Sequence, residues 1–136
     1  DLPLSRGLGD VYKRQAMYHQ GHGVKQDYSK AREWFEKAAK QEYAKAQYNL
    51  GVMYSQSQGV KQDYFKAREW YEEAAKQEHV KAQFNLGIMY KNGQGVEQSD
   101  SNAIRWYAKA AAQGDEDAQV AINAILAEKR SRESSK

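Results

Sequence analysis

At 136 residues, with 40% apolar side chains and no long uncharged apolar run, the chain is sized for one domain and offers no segment that would span a bilayer as a helix. It has no cysteine, which excludes a disulfide frame and a thiolate zinc site and leaves the redox compartment open. The formal charge of +3 comes from the two ends: residues 16–127 carry 14 basic and 14 acidic groups of alternating sign, so no clustered positive face for nucleic acid is expected.

A 36-residue period organises the chain. Residues 23–42 read GVKQDYSKAREWFEKAAKQE, residues 59–78 read GVKQDYFKAREWYEEAAKQE, and residues 95–114 read GVEQSDSNAIRWYAKAAAQG. Such a period signals stacked helical hairpins, none of which can bury its apolar face alone. The register fails before Ala16: counting back 36 from Gly51, Leu50 and Asn49 gives Gln15, Arg14 and Lys13. Residues 5–15 also resemble read-through of a transposase-type sequencing adaptor. Residues 1–15 are therefore set apart as a non-native sequencing or cloning scar that contributes nothing to stability.

In chain order, a helix is expected around residues 28–40, cut off from most of its hairpin mate; Trp34, Phe35 and Ala38 should then be partly uncovered, inviting self-association through that end. The first helix of the next unit, about 44–56, recurs as about 80–91. Ala46, Leu50, Met53 and Tyr54 share one face of it, the core face. Gly51 and Gly87 interrupt these helices at about 1 kcal/mol each, tolerable if a neighbour approaches closely. The following loops turn at Gly59 and Gly95 and are pinned by Val60 and Val96. Asp27, Asp63 and Ser99 are the expected N-caps of the second helices. In the second helix, about 64–76, Ala67, Trp70, Tyr71, Ala74 and Ala75 form the buried stripe, with the pairs Glu33–Lys37, Glu36–Lys40 and Glu72–Lys76 on the wet side. The last helix, about 116–129, keeps the register through Ala118, Ile122 and Ile125, whereas Asn123 and Leu126 depart from it. The polar EKRSRESSK ending reads as a terminal cap with residues 131–136 disordered.

Motifs with chemistry are scarce. His19 and His22 have a metal-compatible spacing but no third ligand nearby, and read as a solvated pair. Gly21-x-Gly23 and Gly93-x-Gly95 follow no strand and lead to no GK[ST], so they are turn glycines. Trp34, Trp70 and Trp106 could stack bases, yet they fall on the apolar stripe and read as packing. The patterns S-x-x-K, H-E-x-x-H and G-x-S-x-G are missing, and Glu72 and Glu73 lie on an exposed helix face. Neither a catalytic residue nor a cofactor is expected.

The pattern A-x-x-x-L-G-x-M-Y, then G-V-x-x-D, then K-A-x-x-W-Y-x-x-A-A, resembles the Sel1-like repeat, a relative of the tetratricopeptide repeat, over residues 16 to about 127. The resemblance implies an all-α, right-handed solenoid of antiparallel helix pairs. On it, residues 16–130 are the array: a partial repeat, two full repeats and a C-terminal capping helix. The family usually has glycine where this chain has Glu42, Ser57 and Glu78, so those turns are expected to be looser. The resemblance also implies a bacterial adaptor that holds another protein or peptide on a curved surface, without chemistry of its own. A cysteine-rich branch of the family is linked to β-lactam binding, and a chain without cysteine falls outside it. The alternative is an accessory piece of a cell-wall-linked or β-lactam-recognising enzyme whose catalytic part lies elsewhere. In the related arrays the first helix of each unit lines the concave face. There, Tyr48 and Val52 recur as Phe84 and Ile88, beyond the core stripe; flanked by Lys45, Gln56, Lys81 and Lys91, they would either form a groove with an apolar floor and basic edges, suited to a peptide with acidic and aromatic residues, or simply pack between adjacent hairpins.

Overall fold

The computed structural model describes residues 28–135, with side chains from Lys30 onward. Residues 1–15, His19, His22, Gly21, Gly23 and Asp27 lie outside the described residues. Six helices follow one another there: α1 (Tyr28–Lys40), α2 (Ala44–Gln56), α3 (Tyr64–Lys76), α4 (Val80–Asn92), α5 (Asp100–Ala112) and α6 (Glu116–Ser134). Each packs on its neighbours in the chain, an all-α solenoid. No described helix is long and apolar enough to cross a membrane.

The core is a string of small clusters rather than one centre. Ala31, Phe35, Ala38 and Ala39 of α1 bury against Ala46, Leu50 and Met53 of α2. Tyr54 joins Ala67, Tyr71, Ala74 and Ala75 of α3 and Ala82, Leu86 and Met89 of α4, and Ala103, Tyr107 and Ala110 of α5 meet Ala118, Ile122 and Ile125 of α6. Small residues on the second helices let the first helices sit close, and the aromatic rings fill what remains. Trp70 belongs to two clusters at once and stays half-buried, as does Trp106, so the tryptophans seal the seams between hairpins instead of lying in their cores.

Several local expectations hold. The Asp63 carboxylate accepts from Lys66 N at 3.1 Å and the Ser99 hydroxyl from Asn102 N at 3.1 Å, satisfying orphan amides at the starts of α3 and α5. Val60 packs on the central cluster and pins its loop.

Four expectations need correction. Phe35 and Ala38 are each only 1% exposed and pack with α2 in one cluster, where partial uncovering was expected; Trp34 alone of the three stays half-buried. Glu72 is taken by Arg68 at 2.9 Å, and Lys76 pairs with Glu73 at 3.1 Å, since Arg68 reaches the carboxylate from one turn earlier. The turns at Glu42, Ser57 and Glu78 are not looser: all three residues adopt left-handed φ values of 61°, 59° and 64°, as Gly93 and Gly114 do at 69° and 95°. After Glu78 the amide of His79 reaches Ala74 O at 3.3 Å, matching Asp115 N to Ala110 O at 3.2 Å after Gly114. Finally, α6 continues through Ser134, so residues 131–134 are helical rather than disordered. Ser134 Oγ donates to Arg130 O at 3.0 Å, and Arg132 Nη2 meets Asp100 Oδ2 at 3.2 Å.

One stabilising device was not foreseen. Gln47 is 2% exposed and Gln83 0%. Gln47 Nε2 donates to Ala39 O at 3.2 Å and its Oε1 accepts from Gln77 Nε2 at 2.8 Å; one period later Gln83 Nε2 donates to Ala75 O at 3.3 Å and accepts from Gln113 Nε2 at 2.9 Å. A carboxamide can both give and accept, so it can be buried without leaving either end unpaired.

Candidate partner-binding face

Helical spacing places Lys45, Tyr48, Val52 and Gln56 along α2 and Lys81, Phe84, Ile88 and Lys91 along α4. Two adjoining clefts open beside them. The larger, of about 400 Å³, is lined by Tyr48, Val52, Gln56 and Ile88 together with Ser55, Tyr64, Tyr71, Asn85, Met89 and Gln94. The smaller, of about 360 Å³, lies at the N-terminal ends of the same helices and is lined by Lys45, Tyr48, Asn49, His79, Val80 and Lys81. Tyr48 is the wall between them.

The position of Tyr48 is held from three sides. Its ring stacks on His79 with centroids 4.7 Å apart and tilts against Tyr71 at 5.8 Å. The Asn85 side chain hydrogen-bonds both tyrosines, and Ser55 Oγ lies 3.4 Å from the Tyr71 hydroxyl. Burial pushes both phenols above the ordinary tyrosine pKa, against the opposing effect of these hydrogen bonds, so they stay protonated donors at neutral pH. His79 is shifted the other way. Burial, then the cations Lys81 and Lys45, hold its imidazole below the usual range, and its neutral Nδ1 caps α4 by accepting from Ala82 N at 3.2 Å.

Six of the residues expected on this face therefore line the clefts: Lys45, Tyr48, Val52, Gln56, Lys81 and Ile88. Two do not. Phe84 turns into the last core cluster and packs on Tyr107 with centroids 5.4 Å apart. Lys91 is drawn into an ion network, with Glu128 at 2.8 Å and Asp100 at 3.4 Å, because α6 extends far enough to bring Glu128 over it. Asn85 and His79 were missed; the recurrence of asparagine at 49 and 85, one period apart on this face, was the available signal. Among the described residues no group of three His, Asp or Glu could hold a metal ion.

The class is thus an α-solenoid of 36-residue helix pairs with open clefts on one face. The Sel1 repeat profile matches residues 6–43, 44–79 and 80–115, and the chain belongs to the Sel1 repeat family. The first match reaches ten residues into the segment set apart as foreign, and α6 follows the last one. The chain is similar to a Sel1 repeat protein from Oxalobacter formigenes, at 36% identity and a TM-score of 0.80, over 85% of this chain and 47% of that one. It is also similar to a protective antigen of uropathogenic Escherichia coli strains that displays an SLR fold, at 40% identity and a TM-score of 0.83, over 85% of this chain and 25% of the other. It shares the fold of Helicobacter pylori cysteine rich protein B, at 23% identity and a TM-score of 0.67, over 82% and 93% of the two chains. No curated protein matches it. Proteins of this family are generally protein-interaction scaffolds and typically non-catalytic.

Proposed function

We propose that this chain is a noncatalytic scaffold that seats a segment of another protein on the face formed by α2 and α4, the concave face of the array. The observation that carries this is Tyr48: a half-buried aromatic side chain, fixed by His79, Tyr71 and Asn85, that separates a cleft of mixed aromatic, aliphatic and amide lining from one flanked by two lysines. Fixed amphipathic rings give large contact area at low entropic cost, which suits recognition of a peptide. The neutral array and the half-buried tryptophans favour protein over nucleic acid as the partner. No feature of the clefts favours the accessory-enzyme alternative.

A photo-crosslinking side chain at Val52 tests the reading, with the same group at Glu73 on the outer face of α3 as control. A defined protein captured at Val52 and not at Glu73 supports the proposal. Equal capture at both places, or none at Val52, contradicts it.

A further inference from the structure

The two clefts differ in chemistry, and their order along the helices is fixed. The N-terminal cleft is lined by Lys45 and Lys81 together with His79, whose Nδ1 accepts from Ala82 N. The next one is walled by Tyr48, Tyr71 and Ile88, with Met89 at its base and the Asn85 amide tying the phenols together. The first suits a carboxylate; the second suits an aromatic side chain, through ring contacts and the Met89 sulfur. Their lining residues centre about five residues apart on α2 and about seven apart on α4, roughly 7 to 10 Å at 1.5 Å per residue. In an extended chain that distance separates side chains two or three residues apart.

Among the described residues the basic cleft is not repeated at the α4–α6 step. At the register of Lys45 and Lys81 the third repeat has Asp117, in the acidic first turn of α6 beside Glu116. A carboxylate is therefore welcome at the α2–α4 step and repelled at the α4–α6 step, where Asn85 and Ile88 are also replaced, by Ala121 and Ala124.

We propose that this face binds an extended peptide segment carrying an Asp or Glu two or three residues away from an aromatic residue, the acid between Lys45 and Lys81 and the aromatic side chain between Tyr48 and Ile88. Of the two described steps, this basic cleft sets the register of that segment at α2–α4. This rests on the reading of the α2–α4 face as the partner-binding surface, and the test separates the two.

The probe is a bead library of randomised octapeptides, acetylated and amidated so that no terminal charge competes, panned against the full chain. Selected sequences should share an acid and an aromatic residue two or three apart. Their binding should weaken as salt rises, because the lysines are solvent-exposed. The double variant Lys45→Glu, Lys81→Glu, compared under conditions where its unfolding curve shows it folded, should bind those peptides about tenfold more weakly or worse, and should regain binding to peptides in which the acid is replaced by Lys. Peptides that bind and are lost on Val52→Arg, yet carry no acid or ignore the charge reversal, would overturn this inference and leave the face reading intact. A library that yields no binder to the wild-type chain would overturn both.

Discussion

The Cβ that Gly51 lacks would stand 2.5 Å from Cδ1 and Cε1 of Tyr71, and Gly87 bears the same relation to Tyr107 one repeat on. Each glycine is the socket for a ring from the paired helix, and Tyr71, 3% exposed, has little room to withdraw. Alanine at 51 would gain roughly 0.5–1 kcal/mol of helix propensity, whereas overpacking a filled core costs about 1–3 kcal/mol. The clash should win. Gly51→Ala is expected to lower stability by about 1 kcal/mol in urea titration, and to be neutral or favourable in a Tyr71→Ala background. Equal costs in both backgrounds would show that the tyrosine is not what requires the glycine.

The left-handed turns at Glu42, Ser57 and Glu78 make an opposite prediction. A side chain in that conformation costs roughly 1–2 kcal/mol that glycine avoids, less the extra entropy glycine loses on folding. Glu78→Gly and Ser57→Gly should each raise stability by about 0.5–1 kcal/mol, and Gly114→Glu should lower it by a similar amount. A denaturation midpoint that falls on Glu78→Gly would mean that the glutamate makes a compensating contact.

Much of this was legible in the sequence, for a physical reason: a 36-residue period repeats every local choice, so Ala46, Leu50 and Met53 mark the core face, and Asp63 and Ser99 mark the caps, more than once. What stayed hidden depends on contacts between residues far apart in the chain. Gln47 and Gln83 look like solvent residues until Gln77 and Gln113, 30 residues on at the C-terminal ends of their paired helices, reach them. Phe84 and Tyr48 hold the same register, yet only Tyr48 lines a cleft, because its neighbourhood supplies His79 and Asn85 where the next repeat has Asp115 and Ala121. Lys91 was assigned to the groove edge because nothing in its own helix announces Glu128, 37 residues on.

The glutamine ladder predicts a pH-dependent defect. Gln83→Glu changes the shape little but replaces the amide donor facing Ala75 O with an acceptor, within reach of the Glu78 carboxylate that now lies 3.5 Å from Gln83 Nε2. An uncompensated buried carboxylate of this kind is expected to cost at least about 2–3 kcal/mol at neutral pH. Burial and the neighbouring acid would raise its pKa, and once protonated it could donate to Ala75 O again, so the deficit should shrink as pH falls. Gln83→Leu, which leaves no charge, should cost less than the glutamate at pH 7 and show no such recovery.

His79 sets a second, opposite pH dependence in the wild-type chain. Its folded pKa lies below its unfolded value of about 6.5, chiefly through burial and then through Lys81 and Lys45, so the unfolded state takes up the proton first. The stability it contributes is fully present above that unfolded value and is lost as pH falls through the folded pKa, where protonation removes the acceptor from Ala82 N. His79→Asp, which copies the Asp115 cap of α6, should keep the cap and abolish this component. An acid-side stability profile identical in wild type and His79→Asp would rule the histidine out as its source.

Tyr48 and Phe84 provide the sharpest separation between packing and recognition, because they occupy equivalent positions and meet equivalent tyrosines at 5.8 and 5.4 Å. Both are half-buried, so truncation should cost about half of what a fully buried aromatic loses, roughly 2 kcal/mol each, by urea unfolding. Their effects on partner binding should differ. Tyr48→Ala removes the wall between the two clefts and should abolish capture of the partner segment, while Phe84→Ala, which lines neither cleft, should leave binding intact at a temperature where both variants are folded. Tyr48→Phe keeps the ring and gives up only the hydroxyl bonded to Asn85, so it should lose about 1 kcal/mol and retain most of the binding. If Phe84→Ala weakens binding as much as Tyr48→Ala does, the recognition surface is not confined to the α2–α4 step, and the two-cleft assignment fails.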